Sequence, residues 1–191
     1  RGFARFVLRW RPYITPLEEI CKRAPVGERA IEVGCGRGML SVLLFISGKI
    51  KNVIGIDISK DAIDVAKDAA AALGAGIDFR RVSSFADWPK DTFDIVFCID
   101  TLHHVAPEIQ REFVRRVAGL CAPGCTLIFE DVPPFPWWRP PINTLHDLVV
   151  SRQRVHYHHP KEIAEWLATD GFVMIECTLL SRLWYGYYLF V

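Results

Sequence analysis

The chain has 191 residues, of which 51% are hydrophobic, and its 23 basic residues almost balance 22 acidic ones. This length fits one domain, 1–191, with a sizeable core, and a net charge of +1 gives no electrostatic reason to expect a nucleic-acid partner. No run reaches the roughly 18 uncharged apolar residues that a membrane helix needs. Six cysteines without a C-x-x-C pair predict reduced core thiols, a cytoplasmic location and no zinc site.

Residues 1–26 predict a helical region that covers the sheet. Arginine alternates with aromatic side chains between Phe3 and Tyr13, and Pro16 opens a short helix that ends before Pro25. Two alternatives stay open for this region, a lid over the active site and a basic-aromatic patch in peripheral contact with a membrane surface. We favour the covering helix, since the stretch is too short for its periodicity to support a more specific role.

Residues 30–39 form an apolar run that carries an acid and then three alternating glycines, Ala-Ile-Glu-Val-Gly-Cys-Gly-Arg-Gly-Met. A buried strand is predicted before the glycines and an apolar helix over Met39–Ile46, so the glycines lie at a strand-to-helix turn, where α/β proteins bind nucleotides. Their spacing differs from the G-x-G-x-x-G of dinucleotide-binding turns. Glu32 would repel a pyrophosphate but suits a ligand that carries an ammonium group and a sulfonium.

A second apolar strand, Asn52–Ile58, ends on an acid and leads into the alanine-rich helix Lys60–Leu73. Asp57 lies at the carboxyl end of this strand, about 20 residues past the first glycine, where a carboxylate accepts the hydroxyl protons of a ribose. Helix capping is the alternative role, but Ser59 already supplies a cap.

The run E-x-G-x-G-x-G that starts at Glu32 resembles the first motif of the class I S-adenosylmethionine-dependent methyltransferases. The resemblance implies that Glu32 is the partner of the cofactor's methionine amino group, directly or through nearby backbone and water. It also implies that Asp57 binds the ribose and that Ile58 flanks the adenine ring. The cofactor-binding residues implied in this half of the site are Glu32, Gly34, Cys35, Gly36, Gly38, Asp57 and Ile58.

Ile77–Val82 predicts a third strand, and the loop after it departs from the family's usual pattern. Many members of the family place Asp or Asn where Ser84 aligns, to hydrogen-bond the adenine amino group. A serine hydroxyl accepts one such bond, and Phe85 contributes through its backbone amide or by stacking. We therefore expect Ser84 and Phe85 to contact the adenine.

Phe93–Ile99 is a nearly continuous apolar run, typical of a central parallel strand that is buried on both faces. Ile99 ends this strand and is expected to contact the cofactor, and Leu-His-His follows at residues 102–104. This strand end resembles the fourth-strand motif of small-molecule methyltransferases in the same class. Two adjacent histidines beside a cofactor predict a substrate-facing or base role for His103 or His104 as readily as a structural one.

Thr126–Glu130 predicts the fifth strand, and Asp131 directly after it is a candidate base or substrate ligand, with solvation of a loop mouth as the alternative. The segment 132–159 is rich in proline and tryptophan and predicts an insertion that caps an apolar substrate site, or else a rigid connector. Three histidines near its end lack carboxylates at matching spacing, so we expect no metal there. His158 is the weakest of the candidate bases.

Helices are predicted over Pro107–Leu120 and Pro160–Thr169. Two strands follow, Phe172–Leu179 and Leu183–Phe190, and the short connection between them forces antiparallel pairing. A terminal antiparallel hairpin separates the methyltransferase sheet from the dehydrogenase Rossmann sheet. The resemblance covers roughly Gly27–Val191, and it implies a three-layer αβα, doubly wound fold with a seven-stranded, mostly parallel sheet in the family's order 3-2-1-4-5-7-6.

The resemblance implies an enzyme that transfers a methyl group from S-adenosyl-L-methionine, and the aromatic and proline content of the insertion favours a small apolar or lipid-like acceptor. Since the sulfonium supplies an activated methyl, the protein mainly holds a nucleophile in line, and His104, His103 and Asp131 are the candidate catalytic residues. The alternatives are a non-catalytic binding or scaffolding member of the fold and an NAD(P)-dependent oxidoreductase, which Glu32 disfavours. The acceptor atom and the oligomeric state stay open.

Overall fold

The computed structural model describes residues 15–141, 143–144, 155–182 and 185–191, so the predictions for residues 1–14 and for much of the insertion lie outside these ranges. The described strands are β1 (Gly27–Val33), β2 (Ile50–Asp57), β3 (Ile77–Arg81), β4 (Phe93–Ile99), β5 (Cys121–Asp131), β6 (Cys177–Arg182) and β7 (Tyr185–Phe190). The described helices are α1 (Leu17–Arg23), α2 (Met39–Ile46), α3 (Lys60–Ala70), α4 (Gln110–Ala118) and α5 (Pro160–Thr169).

The seven strands form one sheet in the order β3-β2-β1-β4-β5-β7-β6, which confirms the predicted topology. The first five strands pair in parallel, and β7 pairs antiparallel with both β5 and β6. The strand order reverses between β1 and β4. Ligands of open α/β sheets bind at such a switch point, beyond the carboxyl ends of the strands.

The bounds of the terminal hairpin differ from the prediction. Residues 180–182 were expected to form the connection, but they belong to β6 and pair as far as Arg182 opposite Tyr185. Side-chain exposure alternates along β6, whereas every residue of β7 is buried. Ser181 is exposed and Arg182 is half-buried, so two consecutive polar residues occupy the two faces of an edge strand and resemble a loop in the sequence.

Two apolar layers cover the sheet. One face packs against α1, α2 and α3 through a core that contains Ile20, Leu44 and Ile63. The other face packs against α4 and α5 through a core that contains Val114 and Ile163. Alternate residues of β4 enter the two cores, as expected for a central parallel strand. Helix α1 is the covering helix predicted within residues 1–26.

Amphipathic patterning explains how α4 lies on the sheet. Its residues Phe113, Val114 and Val117 are buried, whereas Glu112 on the outer side pairs with both Arg115 and Arg116. This is the 3.6-residue period of a helix with one apolar face. The predicted helix over residues 107–120 begins as a 3₁₀ turn at Pro107–Ile109 before α4.

The start of α2 depends on a glycine. Gly38 precedes the helix with φ +75°, and a Cβ added there would lie 2.4 Å from Cζ of Phe79 and 3.0 Å from Cβ of Ala66. Both the backbone conformation and the contact with β3 therefore require glycine.

We expect Gly38→Ala to destabilise the protein more than Gly48→Ala. Both positions have positive φ, so both variants lose about 1–2 kcal/mol from left-handed backbone. Gly48 has no atom within 4 Å of its added Cβ, whereas overpacking at Gly38 costs about 1–3 kcal/mol more. Urea unfolding midpoints measure the difference, and equal midpoints for the two variants would contradict the packing assignment.

Candidate cofactor and acceptor site

The glycine turn after β1 packs directly on the end of β4. An added Cβ at Gly34 would lie 2.3 Å from Oγ1 of Thr101. The Thr101 hydroxyl donates to the carbonyl of Ile99 at 2.8 Å. The turn is therefore fixed at the switch point between β1 and β4, with room for a ligand to lie against backbone rather than side chains.

Asp57 joins the glycine turn to the end of β2. Its Oδ2 accepts the backbone N–H of Gly36 at 2.8 Å, and its Oδ1 accepts the N–H of Ser59 at 2.7 Å. Ser59 caps α3 by accepting the N–H of Ala62, as predicted. Each carboxylate oxygen has a second lone pair, which is where the hydroxyl groups of a ribose would donate.

Ile58 lies next to this carboxylate with 66% of its surface exposed. An exposed apolar side chain beside a buried strand end fits the flat face of an adenine ring. The turn, the carboxylate and this apolar side chain therefore suit S-adenosylmethionine in their chemistry. The contacts of the individual residues with the cofactor stay predictions.

Glu32 is buried, and its Oε2 accepts the backbone N–H of Ser41 at 3.0 Å as well as the Ser41 hydroxyl. This carboxylate therefore fixes the first turn of α2 above the glycine turn. Ser41 is a polar residue in the otherwise apolar helix Met-Leu-Ser-Val-Leu-Leu-Phe-Ile, and this was the signal that sequence reasoning missed. A link from Glu32 to the cofactor's amino group through backbone and water stays a prediction.

Two further predicted cofactor residues lie in the core. Cys35 and Ile99 are each 2% exposed, and the Cys35 sulfur approaches within 2.9 Å of a Cβ added at Gly55. Their side chains pack the sheet beneath the turn. Their predicted contacts with the cofactor stay predictions.

The loop after β3 is organised by Asp87, which the sequence analysis did not single out. Its Oδ2 accepts the backbone N–H groups of Ser83 at 2.8 Å and Ser84 at 2.9 Å. These hydrogen bonds lower the pKa of Asp87. The exposed Ser84 caps a 3₁₀ turn at Phe85–Asp87. A carboxylate does lie in this loop, three residues after the position where the family pattern places it.

Phe85 faces away from this loop into an aromatic cluster. Its ring lies 5.4 Å from that of Trp88 and 6.5 Å from that of Phe113, and the guanidinium of Arg116 lies 5.6 Å from its centroid. The backbone of Phe85 is therefore better placed than its ring for an adenine contact.

His103 and Asp131 meet at the carboxyl ends of β4 and β5. Both side chains are 3% exposed, and Nδ1 of His103 is hydrogen-bonded to Oδ1 of Asp131. Oδ2 of Asp131 also accepts the backbone N–H of His103 at 3.1 Å. A carboxylate at Nδ1 fixes that nitrogen as the donor, which leaves Nε2 as the basic nitrogen. Nε2 faces Oδ1 of Asp100 at 3.8 Å.

Aromatic rings surround this pair. The ring of His104 lies 4.1 Å from that of His103, and the ring of Tyr157 lies 5.7 Å from it. Burial, reinforced by Asp131, raises the pKa of the neighbouring Tyr188 well above its usual range. Two predicted catalytic residues, His103 and Asp131, are thus in direct contact, and the third, His104, lies beside them.

Gln110 holds the histidine turn in place. Its side chain is buried, and Nε2 donates to the carbonyls of Leu102 at 3.0 Å, Val105 at 3.1 Å and His156 at 3.3 Å. Three acceptors at one nitrogen fix the orientation of the amide. Gln110 therefore joins the 3₁₀ turn at Leu102–His104 to the end of the insertion.

The same amide fixes His158. Oε1 of Gln110 is hydrogen-bonded to Nε2 of His158, and Nδ1 of His158 lies 2.8 Å from Oε2 of Glu162. These contacts hold the ring of His158 between Gln110 and Glu162. In the described part of the chain no group of three His, Cys, Asp or Glu side chains has a geometry that would hold a metal ion.

Gln110→Ala is expected to lower the free energy of unfolding by about 1–3 kcal/mol, because buried carbonyls lose their donor. Glu108→Ala, at an exposed position two residues earlier, serves as the control and should stay within about 0.5 kcal/mol of wild type. Chemical denaturation measures both. Equal midpoints for these two variants would show that the Gln110 network does not stabilise the fold.

The sequence matches a known family over most of its length. Residues 4–177 match the model of a family described as a methyltransferase domain. The ubiquinone biosynthesis O-methyltransferase of Coxiella burnetii strain Dugway 5J108-111 is 29% identical over 160 residues, which are 80% of this chain and 66% of that protein. The protein of the same name from Ralstonia nicotianae is 34% identical over 119 residues, which are 61% of this chain and 48% of that protein. The chain thus spans about half to two thirds of the length of these curated relatives.

Solved structures share the fold. A magnesium protoporphyrin IX methyltransferase from Synechocystis PCC 6803 with bound SAH has a TM-score of 0.72 at 22% identity, over 92% of this chain and 80% of that one. An O-methyltransferase family protein from Burkholderia thailandensis has a TM-score of 0.79 at 18% identity, over 98% of this chain and 57% of that one. Together with the family match and the glycine turn tied to Asp57, this fold shows that the chain belongs to the class I S-adenosylmethionine-dependent methyltransferases.

Proposed function

We propose that the protein transfers a methyl group from S-adenosyl-L-methionine to an oxygen atom of a small apolar or lipid-like acceptor. The observation that carries the proposal is the contact of His103 with Asp131. His103 follows the end of β4, and the glycine turn packs against this same end of β4. The curated relatives carry the name ubiquinone biosynthesis O-methyltransferase. That name supports an oxygen nucleophile and a lipid-like acceptor.

The bound cofactor supplies a methyl group on a sulfonium, and a neutral thioether leaves when the carbon–sulfur bond breaks. The protein's own task is to orient the acceptor and to take its proton. The carboxylate of Asp131 orients the imidazole of His103 and stabilises the imidazolium, so that Nε2 accepts the proton of the acceptor hydroxyl. Asp100, with 24% of its side chain exposed, connects this buried nitrogen to the crevice.

The insertion over residues 132–159 is proposed to cap the acceptor site. Its described end is held to the histidine turn, since the N–H of His156 donates to the carbonyl of His103 at 2.9 Å. Tyr157 packs against a small apolar cluster of Val132, Tyr185 and Tyr187. An aromatic wall beside the proposed base suits a flat apolar acceptor.

No described helix is long and apolar enough to cross a membrane. A peripheral membrane contact, a cytoplasmic location and the absence of a nucleic-acid partner remain part of the proposal.

Asp57→Ala should weaken the binding of S-adenosylhomocysteine at least tenfold, because the variant loses the ribose ligand and the carboxylate that holds the N–H of Gly36. Asp61→Ala, which removes an exposed acid in the first turn of α3, is the matched control and should bind normally. Titration calorimetry measures both affinities. If the two variants bind alike, Asp57 is not a cofactor ligand.

His103→Ala and Asp131→Asn should each lower methyl transfer about 10²–10⁴-fold, which is the usual contribution of a general base, while the affinity for S-adenosylhomocysteine stays unchanged. The variant His159→Ala removes an exposed histidine at the start of α5 and is the control. Transfer of labelled methyl from the cofactor to catechol or 3,4-dihydroxybenzoate measures the rate.

The pH profile separates the two histidines. His103 is identified as the base if the pH profile of methyl transfer loses its acidic limb in His103→Ala and keeps it in His104→Ala. If His103→Ala and Asp131→Asn both turn over at the wild-type rate, the mechanism uses no base at this position. If the wild-type protein transfers no methyl group, a non-catalytic member of the fold is favoured.

A further inference from the structure

Arg139 lies in the insertion with no acidic partner in the described part of the chain. Its Nη2 donates to the hydroxyl of Ser181 at 3.2 Å, and its guanidinium lies 5.2 Å from the ring centroid of Trp138. Its Nε is buried and has no acceptor among the described residues. A guanidinium that is partly desolvated without a carboxylate has unused donors for an anion.

Strand β7 makes room for this guanidinium. A Cβ added at Gly186 would lie 2.1 Å from Nη1 of Arg139, so any other residue at this position would displace the arginine. Tyr185 and Tyr187 flank the glycine with stacked rings, 5.9 Å between centroids. Because these tyrosines alternate with Gly186 along the strand, their side chains lie on the opposite face of the sheet from the guanidinium.

Asn143 provides a second unpartnered polar group. Its side chain is fully buried, and neither the amide oxygen nor the amide nitrogen has a hydrogen-bond partner among the described residues. Arg139 and Asn143 both have helical backbone and are four residues apart, which places them on one helix face. Buried polar groups are nearly always satisfied, so an exception of this kind points to a ligand.

This pair lies at the acceptor end of the sheet. Asp131 pairs with Tyr188 across β5 and β7, so Gly186 lies about 7 Å further along the strand direction. Gly186 and Tyr188 are two residues apart, so they face the same side of the sheet, which is also the side of Asp131. Arg139 lies where a side chain of Gly186 would be, and it therefore lies on the side of the sheet that carries Asp131.

We propose that Arg139 and Asn143 bind a carboxylate or comparable anionic oxygen group of the acceptor, at the end opposite the oxygen that is methylated. This inference rests on the proposed function for the position of the reacting oxygen. Arginine presents parallel N–H donors that match a carboxylate, and the amide of Asn143 adds a further donor. Lysine would supply the charge without the paired geometry.

The test is calorimetric titration of the protein saturated with S-adenosylhomocysteine, using 3,4-dihydroxybenzoate and its uncharged analogue catechol as probes. The wild-type protein should bind the benzoate at least tenfold more tightly than catechol. Arg139→Gln should abolish this preference by weakening the benzoate alone, and Arg139→Lys should retain part of it. Arg80→Gln is the control, because it removes a charge of the same sign from β3 at the opposite edge of the sheet. This variant should retain the full preference for the benzoate over catechol.

Gly186→Ala provides a second route, because it displaces the guanidinium while keeping its charge. It should reduce the preference for the benzoate as Arg139→Gln does. Equal affinity of the wild-type protein for the two probes, no binding of either, or equal weakening of both by Arg139→Gln would each overturn the inference. Selective binding of the benzoate without transfer of methyl to it would contradict the proposed reaction and leave the anion site standing.

Discussion

The site depends on one carboxylate that holds two loops together. Asp57 accepts N–H groups from the glycine turn after β1 and from the start of α3, so the ends of two parallel strands have a fixed relation before any ligand binds. Such preorganisation lowers the cost of binding, since the loops lose little freedom when the cofactor arrives. Glu32 has a similar role, since it accepts the backbone N–H of Ser41 and so fixes the first turn of α2. Glu32 and Asp57 therefore both have a structural role, and their contacts with the cofactor stay predictions.

A second set of contacts couples the reacting end of the site to the insertion. The contact of His103 with Asp131 joins β4 to β5, and Gln110 joins the histidine turn to the residues that precede α5. Arg139 contacts β6 at Ser181 and β7 at Gly186, and β7 pairs with the end of β5 that carries Asp131. Acceptor recognition and proton removal would then depend on the same packing, which is what a precise in-line geometry requires.

The sequence was sufficient for the parallel strands and the cofactor turn because their signals are local, and the family resemblance supplied the order of the strands. Apolar strands, a glycine turn and an acid at a strand end each occupy a few consecutive residues. The hairpin turn was misplaced because the edge strand β6 ends in two consecutive polar residues, Ser181 and Arg182, which resemble a loop in the sequence. The roles of Gln110 and Arg139 depend on contacts with residues more than 40 positions away, and no local pattern encodes such contacts. Asp87 was missed because the family pattern directed attention to Ser84.

The central claim is that the cofactor lies across the switch point with its sulfur directed at the end of β4. A crystal structure with bound S-adenosylhomocysteine tests it most directly. The account predicts ribose hydroxyls within about 2.5–3.0 Å of the Asp57 carboxylate, adenine against Ile58, and the sulfur facing the crevice that holds Asp100 and the two histidines. A bound molecule whose sulfur faces the β3 side of the sheet, or whose ribose makes no contact with Asp57, would contradict it.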